Sequence, residues 1–175
     1  MDLHTTIFEL IDMRSFSNLW FWIALAVVWS SASHWVLGVP YDMVVRAKKN
    51  GDEAAQDLED LVRIYTNRML YISGMLGVSL LSITCFTLST LAVLGFVYRV
   101  EFAQALFLLG LPMSLVGALN LSTARRIRDR DASGTDLWTL MGRHRTMVQL
   151  VGMVSIFVTA LWGMYQNLTV GPFGS

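Results

Sequence analysis

A chain of 175 residues that is 54% hydrophobic and 15% charged lies outside the usual soluble range, where charged residues approach about a quarter. Thirteen basic and thirteen acidic side chains cancel to a formal net charge of zero, so what charge does here depends on where it falls. The single cysteine, Cys85, excludes an intrachain disulfide framework, a CxxC pair and a cysteine-based metal cluster, and with them the four-helix membrane thiol oxidoreductases.

The opening MDLHTTIFELIDM carries three acids and no basic residue before Arg14, unlike a secretory signal. Ile7, Phe8, Leu10 and Ile11 give it a partial apolar face, and a short helix lying at a membrane surface is expected there. Four long apolar stretches follow, at about 16–39, 70–98, 102–121 and 147–168. Each supplies the roughly 20 residues of helix that a bilayer core requires, and in lipid such a segment must satisfy its own backbone groups. The expected fold class is all-α: an integral membrane four-helix bundle with an N-terminal interfacial helix and cytoplasmic helical extensions. About 80 residues remain for tails and loops, too few for a separate soluble domain of ordinary size, so one transmembrane domain is expected.

The first long connection, 40–69, opens where Pro40 stops or redirects the first helix. YDMVVRAKK reads as a short surface helix, and Asn50-Gly51 as a turn. Beyond it Ala54, Ala55, Leu58, Leu61, Val62 and Tyr65 recur at helical spacing. No Gly or Pro separates this run from the second apolar stretch, which predicts one continuous helix from about Asp52 to Tyr98. Its stripe of Leu58, Leu61 and Val62 must bury against the other loop, the bilayer surface or another subunit.

The second long connection, 122–146, starts with Arg125, Arg126, Arg128 and Arg130, at headgroup depth if the third stretch spans. Ser133-Gly134 marks a turn, after which Thr135 or Asp136 caps a short helix carrying Leu137, Trp138, Leu140 and Met141. The arginine cluster and Trp138 are expected to meet anionic lipid or an acidic partner. Asp42, Asp52, Glu53, Asp57, Glu59 and Asp60 of the first connection make the same chain one candidate for that partner.

Eleven of the thirteen Lys and Arg residues lie in these two connections, and only Arg14 and Arg99 lie on the other side. Positive residues near span ends are retained in the cytoplasm, so both connections are expected to be cytoplasmic and both termini periplasmic. Trp20, Trp22, Tyr98, Trp162 and Tyr165 then form an outer aromatic belt, and Trp35 and Tyr71 mark the inner interface.

Helices in lipid associate through small and polar residues. Ser82, Cys85, Ser89 and Ala92 make such a stripe in the second stretch; Gly110, Ser114 and Ala118 make one in the third, which also contains Pro112. Ser155, Thr159 and Gly163 make one in the fourth. Whether each packs within the chain or between subunits stays open. No ionisable Asp, Glu, Lys or Arg lies near the centre of any stretch, which argues against ion pumps and proton-coupled exporters. Glu101, the nearest acid, is expected to pair with Arg99 across a tight turn. His34, toward the inner end of the first stretch, is the one candidate contact for a haem, a quinone or a lipid, with His144 a conceivable interfacial second ligand. No metal site, resident cofactor or nucleic-acid partner is expected.

The run ELIDMRSFSNLWFWIALAVVWSSASHWVLGVPYDMV, then DLEDLVRI, then EFAQALFLLGLPMSLVGALNLSTARRI, resembles an inner-membrane family of photosynthetic and marine alphaproteobacteria. Its members are often labelled a component of the Suf iron–sulfur assembly complex. The resemblance covers most of the chain, carries no motif of known chemistry, and implies a bacterial inner membrane. Residues and resemblance together give the expectation of a protein that is not an enzyme. Its leading role is an accessory, scaffold or assembly subunit of a larger membrane complex, respiratory, photosynthetic or Suf-related. Two alternatives accompany it: a binder of cofactor, quinone or lipid through His34, and a homo-oligomer that shapes a pore or the membrane.

Overall fold

The computed structural model describes residue 16 and residues 19–170. The interfacial helix expected in the opening segment, residues 1–13, lies outside them. The described chain is all-α apart from one two-residue-per-strand hairpin. Helix α1 covers Leu19–His34, α2 Tyr41–Asn50, α3 Asp52–Ala92 with a π-helical last turn over Val93–Val97, α4 Glu101–Asp129, and α5 Gly134–Val170.

Three of these, α3, α4 and α5, are long and apolar enough to cross a membrane. The first apolar stretch departs from its expected bounds. Its helix has 16 residues, about 24 Å at 1.5 Å per residue, and stops at His34 instead of running to Val39. The chain then turns back on itself, with Trp35 opposite Pro40 and Val36 opposite Val39. Leu37 and Gly38 at the tip have φ of 55° and 81°, the pair of positive values that a tight hairpin turn requires. Gly38 is also pinned sterically, since a Cβ there would lie 2.9 Å from the Tyr65 ring. Leu37 accepts a backbone conformation that disfavours side chains by roughly 1–2 kcal/mol. Its side chain is buried in the main core, which offsets that cost.

The expected continuous helix from about Asp52 to Tyr98 is present as α3 and its π-helical turn. The two long connections are largely helical as well. α4 runs eight residues past its apolar stretch, and α5 begins well before its own, leaving only residues 130–133 between them. The extensions of α3, α4 and α5 meet at one end of the molecule, joined by the hairpin and α2, and form a head. Val39, Val44, Ala47, Leu58, Ala124 and Met141 are fully buried there, with Tyr41, Leu61, Tyr65 and Trp138 packed around them. Ridges at i, i+3 and i+4 produce this: Leu58 and Val62 from α3, Ala124 and Ile127 from α4, Leu137 and Met141 from α5. Polar ties close the head, among them the Gly134 N–H donating to Glu59 Oε1 at 2.6 Å.

Beyond the head the packing thins. α3 lies on α4, α4 on α5, and α1 on α5. Leu25 and Trp29 of α1, Val116 of α4 and Val148 of α5 form a second, smaller cluster. Only 6% of the apolar window of α3 is buried, so most of that helix faces outward.

Candidate functional site

The structure separates residues that are adjacent in sequence. Of the three covers expected for Leu58, Leu61 and Val62, the structure supplies the other loop: Leu58 and Val62 are core residues of the head and Leu61 packs against that core. Leu137 and Met141 of α5 cover them, so this stripe is not available as a docking surface. Trp138 packs against the same core, with its Nε1 buried and without a hydrogen-bond partner.

The arginine cluster divides by helical phase. Arg126 and Arg130, four residues apart on α4, line a cavity of about 670 Å³ with Lys48 of α2 and Arg143 of α5. Ser122, Thr123, Trp138, Thr139, His144 and Thr146 complete its polar wall, and no acid lines it. Arg128 faces a different cavity of about 410 Å³, lined also by Glu59, Asp60, Arg63 and Asp131, where charge of both signs is present. Arg125 is exposed and lines neither. Among the described residues the one ion pair is Arg63 with Asp60, at 2.7 Å on α3. None of the described acids of the first connection pairs with an arginine of the second. Four-residue spacing was the sequence signal that Arg126 and Arg130 share a face.

His144 sits in this wall at 4% exposure, its Nδ1 3.0 Å from Thr123 Oγ1. It lies in the head, outside the apolar stretch that begins at Met147. Burial holds its pKa below the ordinary 6.5, so at neutral pH it is an uncharged hydrogen-bonding group. His34, by contrast, is exposed at the end of α1, with its ring edge-on to Trp35 at 5.9 Å between centroids.

The small-residue stripes also separate. Gly163 of α5 meets Phe16 and Trp22, and Gly152 lies directly under the Trp29 ring, where a Cβ would come within 2.8 Å. Ser155 and Thr159 are buried on the same helix, their hydroxyls unpartnered. This stripe packs within the chain. On α4, Gly110 is in ordinary contact with Leu88 of α3, Ser114 donates back to Leu111 O at 2.6 Å, and Ala118 is exposed. On α3, Ser82, Cys85 and Ser89 are all exposed, and Gly74 three turns earlier faces open space. Ala92, the last residue of that stripe, is half-buried, while the other three members face outward among the described residues.

At the end opposite the head, Gln104 forms a junction that the sequence did not announce. Its Nε2 donates to Gly95 O at 2.8 Å, and its Oε1 accepts from Trp162 Nε1 at 2.9 Å and from Gln166 Nε2. Gly95 permits the approach, because a Cβ there would lie 2.9 Å from the Gln104 nitrogen. Glu101 does not pair with Arg99. Its carboxylate accepts the Phe16 N–H at 2.7 Å and so ties the chain ahead of α1 to α4.

Among the described residues no cluster of three His, Cys, Asp or Glu side chains is arranged to hold a metal ion. Compared with family models, with curated proteins and with solved structures, the chain matches none.

Proposed function

We propose that this chain is a multi-pass protein of a bacterial inner membrane and acts as a non-catalytic accessory or assembly subunit of a larger membrane complex. The observation that carries the reading is the outward face of α3. A helix whose apolar window is 6% buried, yet which carries Gly74, Ser82, Cys85 and Ser89 along one exposed stripe, suits a helix that another polypeptide covers. Lipid alone would be served by Leu and Ile at those positions. α1 joins α3, α4 and α5 as the fourth membrane helix. The head, with Arg126, Arg128, Arg130, Arg143 and Lys48, lies on the cytoplasmic side, and both termini lie on the periplasmic side. Respiratory, photosynthetic and Suf assembly complexes are the candidate hosts.

Cys85 supplies the test, since it is the only thiol and lies on the proposed interface. Native membranes treated with a short bismaleimide are expected to yield an adduct between Cys85 and one distinct polypeptide, identified by mass spectrometry. Changing Ser82 and Ser89 to Leu should abolish that adduct while leaving the protein inserted. A dimer of the chain alone would move the reading to the homo-oligomer, and monomer alone would sink both. The small-molecule binder built on His34 gains no support from that residue's exposed position.

A further inference from the structure

Beyond the head the α4–α5 seam opens a second time. One turn along the same α4–α5 seam lies a cleft of about 360 Å³, lined by Leu108, Leu111, Pro112, Leu115, Leu150, Val151, Val154, Ser155 and Val158. On α4, Leu115 is followed by Leu119 four residues on. On α5, Leu150 and Val151 follow Met147 by three and four. Leu119 and Met147 line the basic cavity at its side toward the cleft, so the two spaces follow one another along the seam, one helical turn apart. The seam therefore changes character along its axis. From Leu108 to Leu119, about 16 Å at 1.5 Å per residue, it is almost wholly apolar. From Ser122 to Arg130 it is hydroxylic and cationic.

The electrostatics of the wide end are unbalanced. Lys48, Arg126, Arg130 and Arg143 face one space with no carboxylate in its lining, and none of the four has an ion pair among the described residues. A buried donor without a partner, Trp138 Nε1, belongs to a residue of the same wall. Charge of one sign around a concavity calls for a counter-ion, and guanidinium forks bind carboxylate and phosphate oxygens in bidentate fashion. A free phosphate would use the wide end alone and give the apolar cleft no role. An amphiphile uses both.

We propose that the α4–α5 seam binds one anionic phospholipid, its phosphate among Lys48, Arg126, Arg130 and Arg143 and an acyl chain in the cleft between Leu108 and Val158. The inference rests on the membrane placement proposed above, which positions Leu119 and Met147 at the level where headgroup gives way to hydrocarbon. It does not depend on the partner of α3. His144 and Thr123 take the part of neutral hydrogen-bonding groups beside the phosphate.

Native mass spectrometry of the full chain in detergent tests this, with phosphatidylglycerol and phosphatidylcholine titrated separately. Wild-type protein should retain one phosphatidylglycerol in strong preference to phosphatidylcholine. Changing Arg126 and Arg143 to Ala should weaken retention by about twenty-five-fold, at about fivefold per cation. Arg125→Ala, which removes an equal charge outside the cavity, should change it less than twofold. Arg126→Lys and Arg143→Lys together should keep most of the preference and show that loss in the alanine pair is not misfolding. Equal retention of the two lipids, or equal effects of Arg125→Ala and Arg126→Ala, would overturn the site. Inorganic phosphate bound with the same arginine dependence, alongside no lipid preference, would transfer the cavity to a soluble phosphate and overturn the lipid assignment. Protein that stays soluble and monodisperse without detergent would refute the membrane placement itself, a result distinct from either of these.

Discussion

The head and the apolar windows are built from the same helices but present opposite surfaces. In the head, Leu58, Val62, Leu137 and Met141 are at most 1% exposed, the pattern of a small water-soluble core. Along the same α3, Ile72, Met75, Leu76, Val78, Leu81, Ile83 and Phe86 are exposed. In water such an expanse would drive aggregation. In lipid it costs nothing, because hydrocarbon is as apolar as the side chains themselves. The contrast shows where apolar burial is concentrated: it is densest in the head, while beyond it the helices meet through the smaller cluster of Leu25, Trp29, Val116 and Val148, close approach at glycines and a few polar ties.

The sharpest way to break that comparison is to make one substitution in both regions. Leu58→Ala opens a cavity in the head and is expected to destabilise by about 2–5 kcal/mol. Leu81→Ala, 64% exposed on the same helix, should change stability by less than about 0.5 kcal/mol. Thermal unfolding in detergent reads both, and equal losses would mean that α3 is packed alike along its whole length.

Outside the head, the polar junction should rank next. Gln104→Leu keeps the volume but leaves Gly95 O and Trp162 Nε1 without their partner, a loss of about 1–3 kcal/mol. Solvent access to the Trp162 indole, followed by fluorescence quenching, should rise with it. Unchanged quenching and stability would show that the junction is not a fastener. Gly152→Val then tests close approach. A side chain at 2.8 Å from the Trp29 ring must push α1 away from α5, at about 1–3 kcal/mol, whereas Gly110→Ala, at 3.5 Å from Leu88, should be accommodated. If both are tolerated, α1 is only loosely attached.

Much of this plan is legible in the residues, and what is not has a physical reason. The absence of Gly and Pro between Asp52 and Ser73 makes α3 readable as one rod, and the spacing of Leu58 and Val62 marks a buried face. What covers that face is not readable, because Leu137 and Met141 lie more than 70 residues away and complementarity across such a distance leaves no local trace. The hairpin after His34 is hidden for a different reason: its tip uses Leu37 in a conformation that a leucine ordinarily avoids, and only the tertiary core makes it worthwhile. Gln104 and Gln166 read as incidental amides in apolar runs until the fold brings them together across 62 positions. The division of the arginines was open to the sequence, since Arg126 and Arg130 are spaced as neighbours on a helix and Arg125 is not.

The smallest effect expected is a pH dependence confined to the head. His144 is buried beside Thr123 in a wall that also carries Lys48, Arg126, Arg130 and Arg143, and no acid of that wall is available to balance a further positive charge. Burial lowers its pKa below 6.5 in the folded protein, so the unfolded chain takes up the proton first as pH falls. The unfolded state then binds more protons than the folded one, and stability declines between about pH 6.5 and the lowered folded value. Stability should accordingly be full at neutral pH, fall as the pH is taken below 6.5, and level off once the folded protein is protonated too. His144→Asn, which places an amide near the position of Nδ1 but cannot titrate, should remove this component while retaining a bond to Thr123. A decline of the same size in His144→Asn would assign it to other groups. A decline that disappears in wild-type protein loaded with phosphatidylglycerol would tie the same histidine to the α4–α5 seam, because a bound phosphate supplies the negative charge that the wall itself lacks.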